Sequence, residues 1–424
     1  MEALPLEGIR IVDLTNAIAG PWCTMILGSF GAEILKIEQP LAQVPPARML
    51  GARRGGFFRD LSPEQRTGID NLGNLLGPNK YAASLDLRSP EGVALCKELV
   101  KVSDVVVENY SGSVMKRFGL DYPKLKEVKE DIILVSMPGY GHGGPYENYL
   151  TTGPGIDGMS GMQSLTGGPD RWPLKLGAMY ADQSNGLMSA FATVAAIYAR
   201  QTTGQGQHVE VAMRDTSTQF IGDALFEYLF TGRVPKRIGN KHPIWAPHDA
   251  YRCQGVDQWI TIAVRNEEEW GRLCQEAGHD EWAKDPRFQT MALRKEHEAE
   301  LDRLIEEWTS GQDKQQIMER LQKCGVPAGA VLDSQEVFEN PHFRARGSFP
   351  TVPAQGGPAM FHQLPLRFDG SPAPFRILPP YYGEHTHYIF GQVLGLPQEQ
   401  IEALILKKVI GYPPSQKLQV TAQH

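Results

Sequence analysis

The chain has no excess of positive charge, few cysteines and no long apolar run, and each shortage removes a class of function. Its 42 Lys and Arg are set against 49 Asp and Glu, a net charge of -7. That sign argues against a surface for polyanions, so nucleic acid is not an expected partner. The five cysteines, Cys23, Cys96, Cys253, Cys274 and Cys324, stand far apart, with no CxxC pair and no histidine at ligand spacing. They read as reduced, mostly buried thiols rather than a zinc site or a disulfide framework. No window holds 18 consecutive apolar residues, so no membrane-spanning helix is expected. The opening MEALPLEGIRIVDL has no basic segment followed by an apolar one, and a cytoplasmic location is the expectation. A GxSxG elbow is also missing. His385 and His387 in GEHTHY have only Glu384 beside them, so no metal site is expected. Small-molecule chemistry remains.

What is present is regular alternation. At 424 residues two or three domains are expected. IRIVDL (9–14) reads as a buried strand, WCTMILGSFG (22–31) as a helix ending at glycine, and AEILKIE (32–38) as the next strand. After AASLDL (82–87), the run Ser89-Pro90-Glu91 supplies an N-cap, a first-turn proline and an acid. The helix it opens leads to SDVVVENY (103–110), and DIILVSMPGYG (131–141) adds a further strand. The repetition predicts the α/β class, a mostly parallel sheet with helices on both faces. Residues 41–78 break the rhythm with prolines, glycines and Arg48, Arg53, Arg54, Arg59 and Arg66. A loop of that length is usually functional or mobile, and both readings stay open.

Further on, GQHVEVAM (206–213) alternates as a strand and 214–230 reads as helix. AYRCQGVDQWITIAV (250–264) reads as two short antiparallel strands, followed by an Asn266 cap with Glu269 in capping-box position. Charged helical segments over 290–323 complete a smaller α+β domain. From residue 346 the chain is rich in proline and glycine before an amphipathic helix, QEQIEALILKKV (398–409). The expected division is 1–220 for a large domain, 221–345 for a linker and small domain, and 346–424 for a segment returning to the large one.

One stretch carries a question. In MYADQSNGLMSAFATVAAIYARQTTGQGQ (179–207), Asp182 stands where an apolar helix is about to begin. It reads as a helix cap satisfying orphan amides, or as a nucleophilic carboxylate kept ionised by a helix N-terminus. Residue type alone leaves both open. GYGHGG (139–144) formally matches GxGxxG after a strand, but Pro145 follows where the fingerprint needs a helix. Glu38 ends the first βαβ unit as a ribose-binding acid does, yet its turn, TNAIAGPW, lacks the glycine pattern. His142, among glycines, reads as an exposed loop residue more readily than as a general base.

Taken together, LEGIRIVDLTNAIAGPWCTMILGSFGAEILKIE, NKYAASLDLRSPEG, DVVVENYSGSVMKRFGL, GYGHGGPY, ADQSNGLMSAFATVAAIYARQTTGQGQHVEVAMRD, RIGNKHPIWAPHDAYRC, GVPAGAV, PLRFDG and GEHT resemble the class III coenzyme A transferases, in that family's order and over nearly the whole chain. The resemblance implies a Rossmann-like large domain with a smaller α+β domain and an interlocked dimer, either a homodimer or a heteromer with a homologous subunit. It implies that Asp182 attacks an acyl-CoA to give a mixed anhydride and then an aspartyl-CoA thioester. The CoA contacts it implies are Ala17, Lys80, Asn109, Tyr110 and Arg117, with Tyr140 close to the acyl site. No tightly bound cofactor is implied, only CoA as substrate and product.

Departures bear on the acid. Where some formate-using members have glutamine, arginine and lysine, this chain has Ile18, Gln39 and Pro138, and GNKHPIWAPH replaces their glycine-run loop. Formate and oxalate are therefore not expected. Trp22, Trp245, Met159 and Met162 are candidates to line a larger apolar acyl pocket, though such residues are more often plain core. The expected reaction moves CoA to a sizeable organic acid, with succinyl-CoA as a candidate donor and aryl-substituted acids such as benzylsuccinate as candidate acceptors. An acyl-CoA racemase is the alternative, but residues 143–178, where related racemases carry a histidine partner, hold none. A non-catalytic subunit is a third reading, opposed by the retained Asp182.

Overall fold

A computed structural model describes residues 4–40, 76–177, 179–354, 357–380 and 382–411. Most of the 41–78 excursion, with all five of its arginines, lies outside the described residues. The chain divides into two compact units. The first takes the chain up to Met162, Lys175–Phe230 and the chain from Gly347, and the second takes Gln163–Leu174 and Thr231–Arg346.

The first unit is built on β1 (Arg10–Asp13), α1 (Ala19–Ser29), β2 (Glu33–Glu38), β3 (Lys80–Leu85), α2 (Pro90–Lys101), β4 (Val105–Glu108), α3 (Val114–Phe118), β5 (Ile133–Ser136), α4 (Gly153–Met159), α5 (Tyr180–Thr203), β6 (His208–Glu210), α6 (Met213–Thr218) and α7 (Gly222–Thr231). The strands lie in the order β3-β2-β1-β4-β5-β6, and every neighbouring pair among them is parallel. A short strand, Ile410–Gly411, adds to the β3 edge antiparallel. Both sheet faces are covered, which is why β4 (VVVE) and β5 (ILVS) are buried at every position. Successive side chains feed opposite cores. Val12, Leu35, Val106 and Leu134 join one cluster, while Ile11, Ile34, Val105, Val107, Ile133 and Val135 join the other with α1 and α5.

Local chemistry explains the boundaries. Ser89 caps α2 by accepting from the Gly92 amide, with Pro90 in the first turn. Helix α1 begins three residues before the sequence pattern suggests, because Pro21 is tolerated in a first turn where its missing N–H has no partner to lose. The stretch read as one helix over 214–230 is broken, α6 and α7 being joined by a short 3-10 turn at Gln219–Ile221. Helices α1 and α5 approach closely at Gly186, where a Cβ would lie 2.6 Å from the Ala19 carbonyl oxygen and 3.0 Å from the Trp22 ring. Only glycine permits that contact.

The second unit holds a three-stranded antiparallel sheet of β7 (His248–Arg252), β8 (Trp259–Ala263) and β9 (Ala328–Ala330). Ile260 and Ile262 alternate inward with Thr261 outward, packing on Trp270, Phe288, Leu301 and Ile317. Helix α8 (Glu267–Ala277) is capped by the Asn266 side chain, which accepts from the Glu269 amide. The box is only half formed. The Glu269 carboxylate accepts instead from the Arg265 amide and guanidinium, whose charge-assisted bonds outcompete a neutral amide. Among the described residues, no helix is long and apolar enough to cross a membrane.

Candidate active site

In a parallel sheet of this strand order, the connections from β1 and β4 leave in opposite directions and open a crevice beyond their carboxyl ends. A large cleft lies there, lined by Thr15–Ile18 after β1, Lys36, Glu38 and Gln39 from the end of β2, Asn109–Ser111 after β4, and Met137 and Gly139 after β5. Arg88 and the start of α2 close one side, while Gly153, Met179, Asp182 and Met213 close another.

The floor is set by Asp13, fully buried at the end of β1. Its carboxylate accepts from the Thr15 amide (2.8 Å), the Thr15 hydroxyl (2.6 Å) and the Thr24 hydroxyl (2.6 Å). Lys36 and Lys80 sit 3.1 and 3.4 Å away. Burial pushes its pKa up, but the two ammonium groups and the hydroxyl bonds outweigh burial and bring it to about 2. Lys80, 2% exposed, also donates to the Pro21 carbonyl at 2.9 Å; burial pulls its pKa down to about 8, against the pull of Asp13. The first turn is thus braced from beneath. Above it, Asn16 and Asn109 exchange two hydrogen bonds of 2.7 Å each, tying the β1 and β4 loops together. Ala17 adopts a left-handed φ of 58°, a strained conformation for alanine that these ties hold in place.

Asp182 is buried but opens into the cleft. It is not a cap. Met179 holds the N-cap position of α5 without a side-chain bond, and Asp182 falls inside the first turn. The backbone amides of Ala19, the first residue of α1, and of Asp182 itself face its carboxylate and favour its charged form. Two helix beginnings therefore converge on one side chain. Gly153 presses against it from α4, leaving so little room that a Cβ there would sit 2.0 Å from Asp182 Oδ2. Burial, followed by repulsion from Asp157, raises the Asp182 pKa to about 6 in spite of the two amides. Desolvation outweighs the helix N-terminus in setting this value, and the carboxylate is still mostly ionised at pH 7.

The structure brings Ala17, Lys80, Asn109, Tyr110, Arg117 and Asp182 to this single cleft. The other candidates lie elsewhere. Trp22 is on the face of α1 turned toward α5, half-buried beside Gly186. Tyr140 packs edge-on against Tyr146 and Tyr149 at 5.9 and 6.1 Å, and of the three only Tyr149 lines the cleft. Trp245 stacks on His242 at 4.0 Å within the second unit. Met162 is core and Met159 is exposed. Sequence reasoning missed Lys36, Arg88, Gly153 and Asp157. Arg88 had a signal, a cation directly preceding the α2 cap; the others had none, being defined by contacts across the fold.

The cleft carries exposed cations, Arg88 and Arg117, at its rim and two carboxylates, Glu38 and Asp182, inside. Residues 6–386 match the CoA-transferase family III. The chain belongs to that family. The transferase is 33% identical over 408 residues to succinyl-CoA–D-citramalate CoA-transferase of Chloroflexus aurantiacus, covering 96% of this chain and 98% of the relative. It is 31% identical over 403 residues to succinate–glutarate CoA-transferase of Agrobacterium fabrum, covering 92% and 96%. A CAIB/BAIF family protein from Brucella suis, 33% identical, has a similar structure with a TM-score of 0.79 over 92% of this chain and 100% of that one. The transferase is an enzyme that uses CoA as substrate and product.

Proposed function

We propose that this transferase moves CoA from succinyl-CoA to a second carboxylic acid through covalent intermediates on Asp182. The observation that carries this reading is the shielded carboxylate of Asp182 at two converging helix starts, in the same cleft as the implied CoA contacts. An Asp182 oxygen attacks the thioester carbonyl carbon; the new C–O bond forms as the C–S bond breaks, and the electron pair leaves on the CoA thiolate. The thiolate then attacks the Asp182 carbonyl, releasing succinate and leaving an aspartyl-CoA thioester. The acceptor carboxylate reverses both steps. Shielding of Asp182 protects the anhydride from water.

The names of the two relatives, both pairing succinate with another small dicarboxylic acid, favour an aliphatic dicarboxylate as acceptor. Neither Trp22 nor Trp245 lines the cleft, whose aromatic side chains are Tyr110, Phe118, Tyr149 and Tyr382, so an aryl-substituted acid stays in the panel of acceptors. No histidine lines it among the described residues, which weighs against racemisation with a histidine partner. The test is CoA exchange from succinyl-CoA to a panel of aliphatic and aryl acids, read by mass spectrometry, with hydroxylamine trapping at Asp182. Proton exchange at the α-carbon without CoA exchange would overturn the reading.

Because only ionised Asp182 attacks, kcat/KM is expected to rise with pH through a single step near 6 and level off above it. A flat profile between pH 5 and 7 contradicts this. We also propose that a second chain covers the outward stripe of α5, where Leu187, Phe191 and Tyr198 are exposed, together with Phe226, Leu229 and Phe230 of α7. The expected solution mass, by sedimentation, is at least twice that of one chain.

A further inference from the structure

Asp157 is a second carboxylate behind Asp182 that neither the resemblance nor the proposed chemistry uses. It is 3% exposed, and its Oδ1 has no hydrogen-bond partner among the described residues. It lies on α4, four residues after Gly153 and so on the same helical face. That face is the one pressed against the Asp182 carboxylate. The amide of Ala181, the residue directly before Asp182, faces Asp157 and favours its charged form.

Little else charged stands near. The other charge acting on Asp157 is Lys175, an exposed residue in the segment leading to α5. Helix α1, packed against α5, contains no ionisable side chain other than Cys23. On α6, Arg214 and Asp215 pair with each other at 3.0 Å. Asp157 is the charge that raises the Asp182 pKa, after desolvation. A buried charge without a close cation needs a reason to be retained.

We propose that Asp157 is a positioning residue whose negative charge favours every acylated form of Asp182 over its free carboxylate. The inference rests on the covalent reading given above. In the resting enzyme the two anions repel. When Asp182 becomes an anhydride or a thioester its charge leaves with the CoA thiolate or the released acid, and the repulsion is relieved. The same repulsion makes Asp182 a more basic nucleophile. Asp157 thus pushes the enzyme toward the covalent states.

The test uses Asp157→Asn, which keeps an acceptor for the Ala181 amide and removes the charge. The acid limb of kcat/KM is expected to move down by about one pH unit. The ratio of acylated to free enzyme after mixing with succinyl-CoA and quenching with acid, read on the intact protein by mass spectrometry, is expected to fall about tenfold. Asp157→Ser, also uncharged, carries the same test should the first variant not fold. An unchanged limb and adduct ratio overturn the inference, because a role confined to holding the Ala181 amide would move neither. If wild-type enzyme forms no adduct at Asp182 at all, the covalent reading falls as well, so the two failures are told apart.

Discussion

Asp182→Ala is expected to lower CoA exchange by on the order of 10³-fold or more and to abolish hydroxylamine-sensitive labelling. The loss should not come from unfolding. The folded pKa of Asp182 is raised from 3.8 to about 6, so the stability linked to its protonated form is fully present below the unfolded value and lost as pH rises through about 6. At pH 7 the ionised, desolvated carboxylate opposes folding, and removing it relieves that cost. The variant is expected to melt no lower than wild type at pH 7, with its relative advantage shrinking at pH 5. Calorimetry at the two pH values checks this alongside the exchange assay. Substantial residual exchange would remove Asp182 from the chemistry, and a lower Tm at pH 7 would show that its role is in the fold.

Gly153→Ala is expected to lower kcat/KM about 10²-fold with the nucleophile still in place. An added Cβ would meet Asp182 Oδ2 at 2.0 Å, well inside van der Waals contact, so the carboxylate must turn away from its present position. A misplacement of about 1 Å at a reacting group costs roughly that factor. Asn109, Tyr110 and Arg117 belong to other elements, so KM for the acyl-CoA should change much less than kcat. Gly144→Ala is the control, since nothing lies within 4 Å of a Cβ there. Equal kinetics for the two variants would mean that the carboxylate has freedom the packing does not suggest.

Both expectations depend on contacts of very different legibility. The strands of the large sheet could be read because burial on both faces favours near-continuous apolar runs, and Val105–Val107 and Ile133–Val135 are such runs. The α2 cap was legible because Ser89, Pro90 and Gly92 interact within one turn. Where neighbours compete, the reading slipped. Glu269 is in capping-box position but bonds to Arg265 instead, and a 3-10 turn at Gln219–Ile221 divides what reads as one helix into α6 and α7. Trp22 is apolar and next to the first turn, yet the 3.6-residue period of α1 turns it toward Gly186 and away from the cleft.

The sequence by itself determined the α/β alternation, the membership implied by the ordered motifs, and the position of Asp182 at the start of a long helix. These rest on interactions between residues a few positions apart, or on segments whose order is the signal. Only the tertiary structure decided the state of that carboxylate. Its amide donor comes from Ala19, its steric wall from Gly153 and its repelling charge from Asp157, all distant in the chain. A pKa reflects the solvent removed and the charges gathered around a group, and both are products of packing that no local pattern records.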